Sequence, residues 1–255
     1  MKLITWNVNS LRVRLPHLLQ LLAEEAPDVV CLQETKVQDG DFPGAALSEA
    51  GWPHQLIHGQ KTYNGVAILS RHPLTAPVRG FTLGAPDPQT RLVRASVQGV
   101  RVVNAYVPMG ESIRSDKFAY KLDWLRRLAA ELRTEEGEVL LCGDMNVALS
   151  DADVFDPFEA EGAVLYSRAE REALGESLAT GLTDAYRALY PGGHDFTHWD
   201  YRARAFQRNL GYRIDHTLLS EGLMARCAGV EVLKRVRAWE KPSDHAPVMV
   251  TLSAG

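Results

Sequence analysis

Long apolar runs are missing from this 255-residue chain. Segments such as 29–32 (VVCL) and 139–142 (VLLC) fall far short of the ~20 residues that a membrane helix requires. Asn7 and Asn9 break up the amino-terminal stretch that an export signal would use, so an unexported, cytoplasmic protein with no membrane partner is expected. Cysteine is scarce as well: Cys31, Cys142 and Cys227 form an odd set without metal-type spacing, which argues against a disulfide framework and against a thiolate metal site. The first two fall inside apolar runs and read as buried, reduced thiols. There is no Gly/Ser-rich linker, low-complexity tract or short-period repeat, so a single domain over residues 1–255 is expected. Nor does one sign of charge dominate. The 28 basic and 32 acidic residues leave a net charge of −4, which disfavours a general polyanion binder.

What is present is a series of short, β-branched apolar runs, with 45% hydrophobic residues overall, enough for a sizeable core at this length. Strands are predicted at 3–6, 29–32, 65–69, 92–97, 100–107, 138–143, 214–219 and 247–252. The pair 92–97 and 100–107, turning at Gly99, reads as a hairpin, so the fold is not a purely parallel doubly wound sheet. One helix is predicted with Phe118, Leu122, Leu125, Ala129 and Leu132 on a single face and Ser115 as N-cap. Another covers roughly 16–25, and a third opens with the capping-box pattern Ser167-Arg168-Ala169-Glu170. Many strands and few helices point to packed sheets with helices outside.

Polar side chains recur where these runs end: Asn7, Glu34, Tyr106, Asp144 with Asn146, Asp215, and the pair Asp244-His245 just before the last run. Asp and Asn often make turns at strand ends. Glu34 is harder to explain that way, because Glu is a poor turn former and follows the apolar VVCLQ. Burying Asp244 and His245 beside a strand also costs free energy unless partners come from elsewhere in the chain. Carboxylates gathered at one sheet edge repel each other unless a cation neutralises them. Oxygen donors without a Cys/His set favour magnesium over zinc.

Six segments in order, WNVNSLR (6–12), LQETK (32–36), NAYVPMG (104–110), GDMNVA (143–148), FTHWDYRARAFQRNLGYRIDH (196–216) and SDHAPV (243–248), resemble the exonuclease III family of abasic-site DNA endonucleases. That family lies within the endonuclease/exonuclease/phosphatase superfamily. The resemblance implies an α/β fold, a four-layer αββα sandwich in which two mixed sheets pack face to face with helices outside. It also implies a DNA repair nuclease that hydrolyses the phosphodiester 5′ to abasic sites and has 3′-phosphodiesterase and 3′→5′ exonuclease activity. Mg²⁺ is the implied cofactor, with Mn²⁺ as a substitute. Glu34 would ligate the metal, with Asn7 and Asp244. Asp144, aided by Asn146, would orient or deprotonate the attacking water. His245, paired with Asp215, would contact the scissile phosphate, and Tyr106 would donate a hydrogen bond or a proton.

The implied partner is double-stranded DNA with abasic sites or blocked 3′ ends, bound by a monomer. Residues 201–214 carry four arginines, three aromatic residues and no acid, combining charge for phosphates with surface for stacking. Expected DNA contacts are Asn9, Lys36, Arg114, Lys121, Trp199, Arg202, Arg204, Phe206, Arg208 and Tyr212, with Trp199, Phe206 and Tyr212 around the pocket for a flipped abasic sugar. Met109 and His198 depart from the family pattern and bear on substrate preference. A superfamily phosphatase or phospholipase acting on inositol or sphingomyelin head groups is the alternative. It would keep Glu34, Asp144 and His245 but has no use for the Arg/aromatic segment.

Overall fold

The computed structural model describes residues 1–253. Its strands form two sheets of six. Across the first lie β11 (Cys227–Val232), β12 (Val248–Leu252), β1 (Lys2–Asn7), β2 (Val29–Gln33), β4 (Val66–Ser70) and β3 (His54–His58). Across the second lie β5 (Thr75–Arg79), β6 (Leu92–Val97), β7 (Val100–Tyr106), β8 (Glu138–Asp144), β10 (Asp215–Leu219) and β9 (Thr183–Asp184). The main helices are α1 (Leu11–Glu25), α2 (Gly44–Glu49), α3 (Asp116–Leu132), the single-turn α4 (Pro157–Ala160) and α5 (Arg168–Leu178).

Alternation along each strand sorts the side chains into layers. From β1, Leu3 enters the core between the sheets, with Cys31, Ile68, Val93, Val102, Leu140 and Cys142. Its neighbours Ile4 and Trp6 face the other way, toward Leu18, Leu21 and Leu22 of α1 and Leu47 of α2. On the far side, Val103 and Leu141 meet Trp124, Leu125 and Leu128 of α3 and Leu174 of α5. Both faces of the central strands are therefore covered, which is why they read as unbroken apolar runs. The order is helix, sheet, sheet, helix, the expected αββα sandwich.

The hairpin at Gly99 forms with Val97 opposite Val100, and both linking residues, Gln98 and Gly99, have positive φ (50° and 82°), as a tight two-residue turn requires. Ser115 caps α3 by accepting from the Phe118 amide at 3.2 Å, and the Ser167–Glu170 capping box closes in both directions. One boundary differs: α1 starts at Leu11 rather than near Pro16, which lies inside it. Pro16 removes one intrahelical bond, to Arg12, on a side of the helix where both residues are exposed, so water can take the freed carbonyl.

Each sheet has a single parallel pair, β1 with β2 and β7 with β8. The carboxyl ends of each pair therefore share an edge. Their antiparallel neighbours β12 and β10 begin at that edge, so six strand ends meet at one rim of the sandwich.

Candidate active site

The rim is held by polar bolts between the sheets. Asn104 of β7 donates to the carbonyls of Leu32 and Ala67 at 3.0 and 2.9 Å, and Gln33 of β2 donates to Asn104 Oδ1 at 2.7 Å. Gln33 immediately precedes Glu34 and Asn104 lies just before Tyr106, so this buried amide pair fixes one sheet's site residues against the other's. Above it, Asn7 Nδ2 reaches both Glu34 Oε1 at 2.8 Å and Asp144 Oδ2 at 2.9 Å. One amide thus joins carboxylates from both sheets.

His245 is buried. Its Nδ1 donates to Asp215 Oδ2 at 2.8 Å, while Nε2 stands 3.8 Å from Asp144 Oδ2. The imidazole therefore lies between the first residue of β10 and the last of β8, which face each other in register. Its backbone is fixed too: Ser243 Oγ accepts from His245 N at 3.2 Å and donates to Asn7 O at 2.7 Å. Asp244 accepts from Asn9 Nδ2 at 3.0 Å. Asn9 Oδ1 accepts from Lys36 at 2.6 Å, and Lys36 pairs with Glu34 at 2.8 Å. This chain of contacts runs from Asp244 back to Glu34.

The backbone around these groups is unusual. Asn9, Glu34, Lys36 and Asn146 all have φ between 42° and 52°, the left-handed region that non-glycine residues occupy at a cost of ~1–3 kcal/mol each. Glu34 thus makes a turn that its residue type disfavours, and the turn aims its carboxylate at Asn7. Gly143, next to Asp144, has φ 136°, and a Cβ there would stand 2.0 Å from Ala105 O. Only glycine lets β8 approach β7 this closely.

Proton affinities diverge across the site. Burial pushes the Asp144 carboxyl up to about 7, with Asp215 and Glu34 adding to the shift and His245 and Asn7 opposing it. Burial works to deprotonate His245, but Asp215 and Asp144 outweigh it and raise the imidazolium to about 10. Burial also opposes ionisation of Glu34, yet Lys36 and Asn7 hold it below the usual range. Tyr106 is driven well above an ordinary phenol by burial and by Glu34, so it remains a hydroxyl. Arg91 stacks over its ring at 4.5 Å.

Glu34 pairs with Lys36, Asp144 and Asp215 flank the His245 imidazolium, and Asp244 faces His198 at 3.8 Å; once Asp144 is ionised, the four carboxylates outnumber Lys36 and the imidazolium by two. Asp215 Oδ1 is buried without a hydrogen-bond partner. An oxygen-rich pocket with a deficit of two charges fits a hard divalent cation. Two groups of three ligand atoms within 4.8 Å of one another, His198 with Asp244 and His245, and Asp144 with Asp215 and His245, are the metal-competent His/Cys/Asp/Glu sets among the described residues. Both use His245, whose Nδ1 is already committed to Asp215. Glu34, the expected metal ligand, belongs to neither.

The expected DNA contacts divide. Arg114, Arg202, Arg204 and Arg208 are exposed, and Asn9 and Lys36 are half-buried at the mouth of the site. Phe206 is half-buried and meets Trp199 edge-on at 5.1 Å. Tyr212 is half-buried against Phe155 and pairs through its backbone with His198, which in turn bridges to His245. Trp199 itself is fully covered, because its indole is packed beneath Phe206, and it supports the surface rather than touching a ligand. Arg213 is also buried, clamped by Asp153 and Asp184 at 2.6 Å each. Lys121 is a clear correction. Its side chain has no exposure and pairs with Glu170, so its ammonium cannot reach a DNA backbone. Residues that sequence reasoning did not single out include Gln33, Asn104, Ser243 and Arg91, while Tyr201 stands out there only as one of the aromatics of 201–214. Tyr201 is half exposed and takes a hydrogen bond from Arg14 at 3.0 Å.

Residues 4–245 match the model of the endonuclease/exonuclease/phosphatase family. Exodeoxyribonuclease III of Haemophilus influenzae is 38% identical, covering 97% of this chain and 98% of its own. Among solved structures, a 3′ phosphatase (NExo) from Neisseria bound to a product DNA hairpin is 45% identical with a TM-score of 0.97, covering all of both chains. An AP endonuclease from Archaeoglobus fulgidus is 38% identical with a TM-score of 0.96, again over all of both chains.

Proposed function

Because the chain belongs to the endonuclease/exonuclease/phosphatase family, we propose that it is a DNA repair phosphoesterase, cutting 5′ to abasic sites and clearing blocked 3′ ends by 3′-phosphodiesterase and exonuclease action. Relatives that carry the names exodeoxyribonuclease III, 3′ phosphatase and AP endonuclease support this breadth. The observation that carries the reading is the placement of His245 between Asp215, 2.8 Å from Nδ1, and Asp144, 3.8 Å from Nε2, with Asn7 joining Asp144 to Glu34 across the two sheets.

Glu34, with Asn7 and Asp244, would hold a magnesium ion, or manganese in its place. Bound there, the cation would stabilise charge on the phosphoryl oxygens and the leaving group. Asp144, with a proton affinity near that of neutral solution, takes the proton of an attacking water. Asn7 and Asn146 fix its carboxylate; the Asn146 amide donates to Asp144 Oδ1 at 2.9 Å. His245 stays cationic and presents Nε2 to the phosphate, with Asp215 setting its orientation. Tyr106 supplies a hydroxyl donor. A positioned base gives ~10²–10⁴ in rate, far below the ~10⁶ or more typical of enzymes. Metal, imidazolium and an ordered nucleophile must therefore act together.

The exposed arginines 202, 204 and 208 and Arg114 would track the phosphate backbone, with Phe206 and Tyr212 facing the deoxyribose. A lipid headgroup substrate gives this surface no role. A monomer is the proposed working unit. Among the described residues no helix is long and apolar enough to cross a membrane.

The test uses two duplexes, one with a single abasic analogue and one ending in a 3′-phosphate. Each is incubated with magnesium, with manganese and with chelator. Metal-dependent cleavage of both is expected, and Asp144→Asn should lower either rate by ~10²–10⁴. Cleavage of neither, with phosphate released from inositol head groups or phosphocholine from sphingomyelin, would overturn the proposal.

A further inference from the structure

Lys121 and Glu170 form a buried ion pair for which the steps above have no use. Neither side chain has any exposure. The Lys121 ammonium donates to Glu170 and to two backbone carbonyls, Asn146 O at 2.6 Å and Met109 O at 3.0 Å, so its three protons are all placed. Its stem packs under the turn after Met109, where a Cβ on Gly110 would meet Lys121 Cδ at 3.1 Å. The Glu170 oxygen that accepts from Lys121, Oε1, also accepts from Leu165 N at 3.0 Å, and Oε2 accepts from Ser167 N at 2.9 Å. Leu165 O in turn accepts from Ala148 N at 2.7 Å. The segment 144–148 is therefore tied to Glu170 twice, through Lys121 at Asn146 and through Leu165 at Ala148. Among the described residues, nothing but Lys121 donates to the carbonyl of Asn146, whose φ of 49° has to be held against strain.

We propose that Lys121 and Glu170 are positioning residues. They fix the left-handed turn at Asn146, and with it the Asp144 carboxylate, so they act on turnover and not on DNA affinity. This rests on the phosphodiesterase reading. It also turns the capping box of α5 into part of the support for the site: Glu170 satisfies a helix end and, through one lysine, anchors the loop that follows the base.

The decisive variant is Lys121→Met with Glu170→Gln, which removes both buried charges together and avoids leaving either one unpaired. The Gln oxygen can still accept from Ser167 in the place of Oε2, while its amide nitrogen replaces Oε1 and leaves Leu165 N without that acceptor. Initial rates on the abasic duplex, measured across a salt series, should show kcat lower by about 100-fold, the loss a misplaced catalytic group brings. KM should stay within about threefold, and the slope of log KM against log salt should not change. Amide exchange at 145–148 should quicken. Three results would overturn the proposal. One is a kcat within about threefold of the parent. Another is a raised KM with the salt slope reduced by about one, the mark of a lost phosphate contact. The third is unchanged exchange at 145–148. If the parent itself fails to cut DNA, the functional reading falls, while the exchange measurement still decides this one. If the double variant does not fold, Glu170→Gln alone is judged by the same measurements.

Discussion

Asp144 and His245 make opposite demands on the proton between them, and this sets the pH dependence. Asp144 must be ionised to act as base. With its carboxyl raised to about 7, kcat/KM should fall on the acid side, and a bound cation, which favours the carboxylate, moves that limb below 7. His245 must be protonated to face the phosphate, and with its imidazolium held to about 10, activity should fall only on the alkaline side near that value. In pH–rate profiles at saturating metal, Asp144→Asn should abolish the acid limb. His245→Gln should keep the acid limb and lose the alkaline one. If the His change alone removed the acid limb, the roles would be reversed. The partners that answer the question of why Asp244-His245 sits beside a strand are Asp215 and Asn9, both distant in sequence. The pairing of His245 with Asp215 was readable through family resemblance. The burial of Lys121 was not: it lies next to Leu122 on a helix whose apolar stripe is clear, and its partner is 49 residues away in a segment with no signal linking the two. Trp199 and Arg213 were hidden for another reason. Residues 196–213 are largely irregular, so no period tells an inward side chain from an outward one.

The strands show the same limit at the next scale. The eight apolar runs correspond to β1, β2, β4, β6, β7, β8, β10 and β12, the inner strands of the two sheets. The four that escaped, β3, β5, β9 and β11, are the four sheet edges. An edge strand needs no continuous apolar run, because part of it faces water, and its chemistry discourages further pairing. β5 carries a proline and is largely exposed, β9 has two residues, and β11 contains a bulge near Gly229. What composition and pattern revealed was the interior, and the site lies at the ends of interior strands, which is why its position was legible. Gly143 shows how closely those ends are matched. Gly143→Ala would force a Cβ against Ala105 O in a conformation open only to glycine. The substitution should cost more than about 2 kcal/mol and shift Asp144 away from Tyr106, its partner in register. Urea unfolding and kcat/KM should both register the loss. A variant with parent stability would mean that the β7–β8 approach is looser than drawn.

For the whole molecule the decisive relation is between the sheets, because Glu34 and Asn7 come from one and Asp144, Asp215 and Tyr106 from the other. An apolar interface aligns two sheets only loosely, since hydrophobic attraction has no direction. The Gln33–Asn104 pair supplies direction: Asn104 makes three hydrogen bonds across the interface, and Gln33 also donates to Thr5 at 2.9 Å. Asn104→Leu preserves bulk but leaves one amide short of an acceptor and two strand carbonyls short of a donor, each worth ~1–3 kcal/mol when buried. The substitution should lower stability by about 3 kcal/mol or more and kcat/KM by about tenfold, because Glu34 and Tyr106 lose their shared reference. Two sheets bolted in this way should also unfold as one unit, as the single-domain expectation requires. Backbone and aromatic circular dichroism should trace the same urea transition in the parent protein. Separate transitions for the two signals would mean that the sheets fold independently. A stable, fully active Asn104→Leu variant would mean that apolar packing alone holds the two halves of the site in register.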